Sequence, residues 1–345
     1  MKQSLYGYTL EGLQNLMLSI GLKKFNGEQI LRWLYQSQVK TIDEMTNLSL
    51  AVREKLNENF EVYLPEIVKK QVSSDGTIKF LLKLKDGNLV ETVLMRYTYG
   101  NAVCVSSQVG CNMGCSFCAS GLLKKVRDLT SAEMVAEVMT VQHELNKSNE
   151  RVSHVVVMGI GEPFDNYDNL MEFVHCINEP KGLAIGARHI TVSTCGLVPR
   201  IRKLMEEKIQ INLAISLHAS NNEIRNKIMK INHAYNMDEL HDVLVEYCNA
   251  TNRRLTFEYI LLKGINDTTE HALELVKWLE GTHALVNLIP YNAVDESGYQ
   301  RSEEKSITNF FNVLKKYKIN VTIRREFGKD IEAACGQLRA KSEGK

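Results

Sequence analysis

The chain has 345 residues, 44% apolar and 24% charged, with a formal net charge of +1, the makeup of a globular protein large enough for a barrel and a smaller unit. No run of about 18 apolar residues exists, so no transmembrane helix is expected, and the first residues lack the basic-then-apolar order of a secretory signal. A cytoplasmic protein with no membrane partner is the expectation, its eight cysteines serving as free thiols or metal ligands rather than disulfides.

The first hundred residues differ from the rest. Apolar spacings of three and four in LEGLQNLMLSIGL, GEQILRWLYQ and SLAVREKLNENF predict three short helices. A β-hairpin turning at Asp86-Gly87 follows between Val68 and Met95. From about residue 100 the pattern alternates. NAVCVSS, SHVVVMG, HITVST, INLAISLH, LTFEYILL, ALVNLIP and INVTIRRE read as strands, and LTSAEMVAEVMTVQHELNK and NMDELHDVLVEYCNAT as helices. Thr130 and Glu133 form a capping box for the first of these helices. Connections this long make the sheet parallel. The expected architecture is α/β: an N-terminal helical accessory unit (1–65), a connecting β-hairpin (66–97) and a partial (βα) barrel (98–345).

Each strand candidate runs into an unusual polar cluster. Three cysteines, Cys111, Cys115 and Cys118, follow the first, GIGEP the second, STCG the third and SLHAS the fourth. PYN follows the sixth strand and AACGQL the last. In a parallel barrel these ends share one face, where ligands bind. Basic clusters at Lys124, Lys125 and Arg127, at Arg253 and Arg254, and at Arg324 and Arg325 read by themselves as solvated turns or helix ends.

A structural zinc site needs four closed ligands, commonly from two separated pairs. The Cys-x3-Cys-x2-Cys run supplies three from one loop with no fourth nearby. Thiolates also hold iron–sulfur cubanes, and three of them leave one iron open. The residues alone favour the cubane, with zinc and uncoordinated thiols as the other readings.

This loop, with Phe117 before its last cysteine, resembles the signature of radical S-adenosylmethionine enzymes. CVSSQVGCNMGCSFC, GIGEPFDN, SLHA, NLIPYN and DIEAACGQL together resemble the RlmN/Cfr group of RNA adenine methyltransferases over nearly the whole chain. Ile160 departs from the methionine that many relatives carry there. The resemblance implies a radical SAM barrel holding a [4Fe-4S] cluster on Cys111, Cys115 and Cys118, with the fourth iron open to S-adenosylmethionine. It implies S-adenosylmethionine contacts at Gly161, Glu162, Ser193, Ser216, Leu217, His218 and Asn292. Glu162-Pro163 is similar to the RlmN branch, which methylates adenine C2 in 23S ribosomal RNA and in transfer RNA. The Cfr branch, which methylates C8, is the alternative.

Adenine C2 is an electrophilic amidine carbon without a lone pair to attack a sulfonium methyl, so a radical route is reasonable. The resemblance assigns Cys335 as methyl carrier, Cys104 as the thiol that releases product through a transient disulfide, and Glu91 as proton acceptor at C2. Taken alone, Cys104 reads as a buried small apolar residue and Glu91 as a solvent-facing strand carboxylate. His218 alone reads as a strand-end histidine bonded to backbone. Cys176 and Cys248 read as core, His154 and His189 as structural, and Cys195 receives no role. Partners implied are the two RNAs and an external one-electron donor, with a monomer as the default. A non-catalytic metal-bearing RNA-binding module would leave GIGEP and AACGQL idle. An enzyme that installs a glycyl radical on another protein would need neither Cys104 nor Cys335.

Overall fold

Short apolar runs separated by helical segments build a sheet whose strand order follows the chain. The computed structural model describes residues 2–294 and 296–340. Strand β1 (Gln3–Ser4), helices α1 (Leu10–Ser19), α2 (Lys24–Arg32) and α3 (Leu50–Asn59), and strand β2 (Phe60–Glu61) come first, β2 running parallel to β1. Thr9 and Ser49 cap α1 and α3 by accepting from the amides of Gly12 and Val52, donors that a first helical turn leaves free. The three helices lie where periodicity puts them; the two-residue strands are too short to leave a pattern.

Four antiparallel strands follow: β3 (Glu66–Val72), β4 (Ile78–Lys83), β5 (Leu89–Tyr97) and β6 (Gly100–Cys104). The turn at Asp86-Gly87 joins β4 to β5, the Gly87 amide donating to the Leu84 carbonyl at 2.9 Å. Strand β3 is an addition to the expected hairpin. It is an edge strand without a buried residue, so it carries no apolar alternation to read.

Strands β7 (Gln108–Val109) and β8 (Arg127–Asp128) clasp the cysteine loop. Then come α4 (Ser131–Leu145), β9 (Val152–Val157), α5 (Tyr167–Asn178), β10 (Ile190–Thr194), α6 (Val198–Met205) and β11 (Asn212–Ser216). Helices α7 (Asn222–Ile228) and α8 (Met237–Thr251) precede β12 (Leu255–Leu261), α9 (Thr269–Trp278), β13 (Ala284–Pro290), α10 (Glu304–Lys316) and β14 (Asn320–Ile323). The capping box at Thr130 and Glu133 opens α4. The main sheet has the order β14-β13-β12-β11-β10-β9-β6-β5-β4-β3. Every pairing from β6 to β14 is parallel. Strands β14 and β3 stand at opposite edges, so the barrel stays open.

Side chains alternate between the two faces of this sheet. On β6, Val103 joins the main core, while Ala102 and Cys104 join a second cluster with Val93, Met95 and Phe327. Glu91 shares the face of Val93 and Met95. After β14 the described residues add no strand but return along β3–β5. Asp75 accepts from the Gly328 amide at 3.1 Å, and Lys79 donates to the Glu332 carbonyl at 3.1 Å. This return places Cys335 inside the barrel.

Candidate active site

The cysteine loop is held at both ends and in its middle. At Gly110 (φ 76) a Cβ would stand 2.1 Å from the Lys124 carbonyl oxygen, so only glycine lets the two sides of the loop approach. The Ser116 amide donates to the Ile228 carbonyl at 3.0 Å and the Ala119 amide to the Gly336 carbonyl at 2.8 Å. Phe117 packs edge-on against His218, ring centroids 5.0 Å apart. Cys111, Cys115 and Cys118 all line one cavity at the C-terminal ends of the parallel strands. Burial pushes the Cys111 thiol up to about 12 and Cys115 higher still, so both hold their protons until a metal displaces them.

Gly161, Glu162, Ser193, Ser216 and His218 line the same cavity. At Gly161 (φ 108) a Cβ would stand 2.6 Å from Cβ of Gln108, so the turn into Glu162 requires glycine. The buried Glu162 carboxylate accepts from the amides of Phe164 (3.0 Å) and Cys195 (2.8 Å), tying the ends of β9 and β10 together. Burial raises its pKa against the pull of those amides. The Ser193 and Ser216 hydroxyls lie 3.1 Å apart. His218 Nδ1 accepts from the Ile260 amide at 3.1 Å, which leaves the proton on Nε2. Burial, with the Arg225 and Arg324 charges, drives its pKa down to about 3. His218 is thus both backbone-bonded and part of the cavity wall. The Leu217 side chain lies in the main core instead, which leaves only its backbone for a ligand.

Cys104 and Asn292 open on an adjoining cavity, not on the cluster cavity itself. Cys335 and Arg324 line both. Asn292 Oδ1 is buried without a hydrogen-bond partner among the described residues, an acceptor facing this region. Burial and the neighbouring Cys335 push Cys104 up to about 12, and Arg324 opposes them. Burial likewise raises Cys335, again against Arg324. Burial works against the Arg324 charge too, but Glu258 and the two thiols outweigh it. Arg324 Nη1 lies 3.4 Å from Glu258 Oε2.

Glu91 lines neither cavity. It is buried, its Oε1 3.3 Å from Lys79 Nζ, while Oε2 accepts from the amides of Arg339 (2.8 Å) and Ala340 (3.1 Å). The solvent-facing alternative is excluded. Strand β5 is also braced by buried Glu137, which accepts from the Thr92 hydroxyl and, at 3.0 Å, from the Ser106 amide.

Sequence reasoning missed Lys79, Arg225, Glu258 and Glu137, and it read Arg324 as solvated. None carries a local motif; each becomes legible only when its partners are in place. Two basic residues of the first cluster serve structure: Lys125 pairs with Asp128 and Asp165, and Arg127 with Asp86 and Glu133. Cys195 lines the cluster cavity. Cys176 bonds the Tyr35 hydroxyl (3.0 Å) within the core, and His154 stacks on His189 at 4.3 Å.

The donor set fits a cubane. Among the described residues no group of three His, Cys, Asp or Glu is gathered to hold a single metal ion. Three thiols spread around one cavity match a cluster in which each thiolate takes a different iron.

A partial parallel barrel with this loop at its mouth defines a radical S-adenosylmethionine enzyme, which uses a [4Fe-4S] cluster and S-adenosylmethionine. The sequence profile of the radical SAM superfamily matches residues 105–276, and that of the ribosomal RNA large subunit methyltransferase N-terminal domain matches residues 3–62. A crystal structure of a radical SAM methyltransferase from Sphaerobacter thermophilus superposes with a TM-score of 0.95 at 40% identity, covering 98% of this chain and 100% of that one. The probable dual-specificity RNA methyltransferase RlmN of Spiroplasma citri is 57% identical over 99% of this chain and 98% of its own length. Its counterpart in Enterococcus faecalis is 54% identical over 99% and 97%. The chain belongs to the RlmN family.

Proposed function

We propose that this chain methylates C2 of adenine in 23S ribosomal RNA and in transfer RNA. The observation that carries the reading is that Cys104 and Cys335 line one cavity, and that Cys335 also reaches the cavity of the three cluster cysteines. A methyl carrier must meet both the cluster and the releasing thiol, and Cys335 stands at that junction.

In this reading Cys111, Cys115 and Cys118 hold the cluster, which with S-adenosylmethionine supplies the one-electron chemistry that takes a hydrogen atom from a methyl group. Gly161, Glu162, Ser193, Ser216, His218, the Leu217 backbone and Asn292 orient S-adenosylmethionine. The Cys335 thiolate accepts a methyl group by displacement. After loss of one hydrogen atom, its S-bound methylene bonds to adenine C2. Glu91 takes the proton from C2, which requires Arg339 and Ala340 to leave its carboxylate, and the unpaired electron left on the base would pass to the oxidised cluster as the one-electron acceptor. The Cys104 thiolate then attacks Cys335 sulfur. The S–C bond breaks, its electron pair stays with the base-bound carbon, and that carbon takes a proton to become the methyl group. Arg324 favours both thiolates. The helical unit before β3 is suited to hold RNA, and a one-electron donor is the further partner.

The test is to incubate the reconstituted, reduced protein with S-adenosylmethionine and either RNA, then digest to nucleosides. The expected product is 2-methyladenosine. Mainly 8-methyladenosine would assign the chain to C8 chemistry, and no methylated adenosine would remove the reading.

A further inference from the structure

Arg225 is fully buried, on α7 behind the cluster cavity. Its N–H groups are well satisfied, but only by neutral acceptors. Nη2 donates to the Cys195 carbonyl at 2.6 Å, Nε to the Leu217 carbonyl at 3.2 Å and Nη1 to Asn232 Oδ1 at 3.0 Å. Arg324 has Glu258 as its carboxylate. Among the described carboxylates, none forms an ion pair with Arg225. Neutral acceptors fill hydrogen bonds without cancelling charge, and an uncompensated buried cation costs several kcal/mol. Cys195 and Cys115 lie near enough that a negative charge on either sulfur would reach it.

We propose that Arg225 is the fixed counter-charge of the iron–sulfur cluster. Three thiolates outweigh the positive iron–sulfur core in either oxidation state, and reduction adds one more negative charge on the cluster. A guanidinium whose donors are already taken cannot bend toward a ligand. It acts through its field, which is strong where water is excluded. That field favours the reduced cluster. The same bonds fix the carbonyls at the ends of β10 and β11, so Arg225 is also a positioning residue for Ser193, Ser216 and His218. The proposal rests on Cys111, Cys115 and Cys118 being the ligands.

The experiment is a redox titration of the full-length, reconstituted protein, following the reduced cluster by electron paramagnetic resonance. Arg225→Gln removes the charge and keeps a donor. Its one-electron reduction constant should fall at least about tenfold, a midpoint about 59 mV more negative. Arg225→Lys keeps the charge with fewer bonds and should stay much nearer the parent. Asn232→Asp leaves the arginine and sets a carboxylate against it, so its midpoint should also fall; it carries the test if Arg225→Gln does not fold. An unchanged potential in Arg225→Gln or in Asn232→Asp would overturn the proposal. Equal shifts in Arg225→Gln and Arg225→Lys would also overturn it, leaving only the positioning role. Iron analysis of the parent protein tests the ligand assignment separately, since absence of iron there would fail that assignment before any variant is compared.

Discussion

Lys79 holds Nζ 3.3 Å from Oε1 of Glu91, and both side chains are buried. Two backbone amides of the C-terminal segment occupy the other carboxylate oxygen. One carboxylate therefore anchors the returning chain and, in the proposed reaction, takes the C2 proton. In that reading, with Oε2 tied to the Arg339 and Ala340 amides and Oε1 beside Lys79, the C-terminal segment would lift from Glu91 as RNA enters.

Glu91→Gln separates those duties. The amide oxygen can still accept from the Arg339 and Ala340 amides, but buried Lys79 loses its anion and keeps only the Glu332 carbonyl, so the fold should persist with a lowered urea midpoint. The base is lost, and turnover should drop roughly a hundredfold or more. Mass spectrometry should still find a methyl group on Cys335. Normal turnover would reduce Glu91 to an anchor. Lys79→Met, by contrast, strips a buried carboxylate of its cation and should destabilise the fold by about 3 kcal/mol, read as a lower urea midpoint.

Replacing Cys111, Cys115 or Cys118 with alanine should abolish bound iron and all S-adenosylmethionine cleavage. Circular dichroism should stay unchanged, because the β7–β8 ladder and Phe117 close the loop without metal. Cys195→Ala is the informative control, since Cys195 lines the same cavity. It should retain iron; loss of the cluster there would make Cys195 a ligand. Stoichiometric zinc in fully active protein would overturn the cluster itself.

The release step should depend on pH with a definite sign. Cys104 is pushed up to about 12, first by burial, so at neutral pH the folded enzyme holds it as thiol while the attacking species is thiolate. The thiolate fraction rises about tenfold per pH unit below the pKa. In a single-turnover experiment, decay of the Cys335-linked RNA should accelerate about a hundredfold between pH 7 and 9. A flat profile would mean that another group takes the Cys104 proton before attack.

Much of this site was legible because its signals are local. Strands β6 and β9–β14 announce themselves as short apolar runs, and three cysteines in one loop need no neighbours to be noticed. The illegible part depends on closure. Arg225 sits in NNEIRNKIM, where it reads as an ordinary helix-surface cation, and only the ends of β10 and β11 folding over it make it buried. Cys104 points into the barrel as its alternation with Val103 requires. That it opens on a cavity beside the cluster, not on the cluster cavity, follows from where the C-terminal segment crosses β5, which no spacing encodes. Lys79 is likewise invisible, because β4 is buried on both faces and an inward lysine makes sense there only with the Glu91 carboxylate on the neighbouring strand, diagonal to it.

In the proposed reaction the two remote thiols act at different times, and variants can isolate that difference. Cys335 must carry the methyl group first, so Cys335→Ala should give neither methylated protein nor methylated RNA. Cys104 acts only at release, by attack on the sulfur joined to the base. Both thiols line one cavity, yet they are free in this structure. Forming the disulfide needs their Cα atoms roughly 4.4–6.8 Å apart, so the proposed release step requires the two segments to close to that distance. Cys104→Ala should therefore accept a methyl group, add to adenine and stall. The signature is a protein–RNA adduct that survives denaturation and maps to Cys335 by mass spectrometry. Normal turnover by Cys104→Ala, or failure to trap any adduct, would make Cys104 a core cysteine and remove the disulfide step.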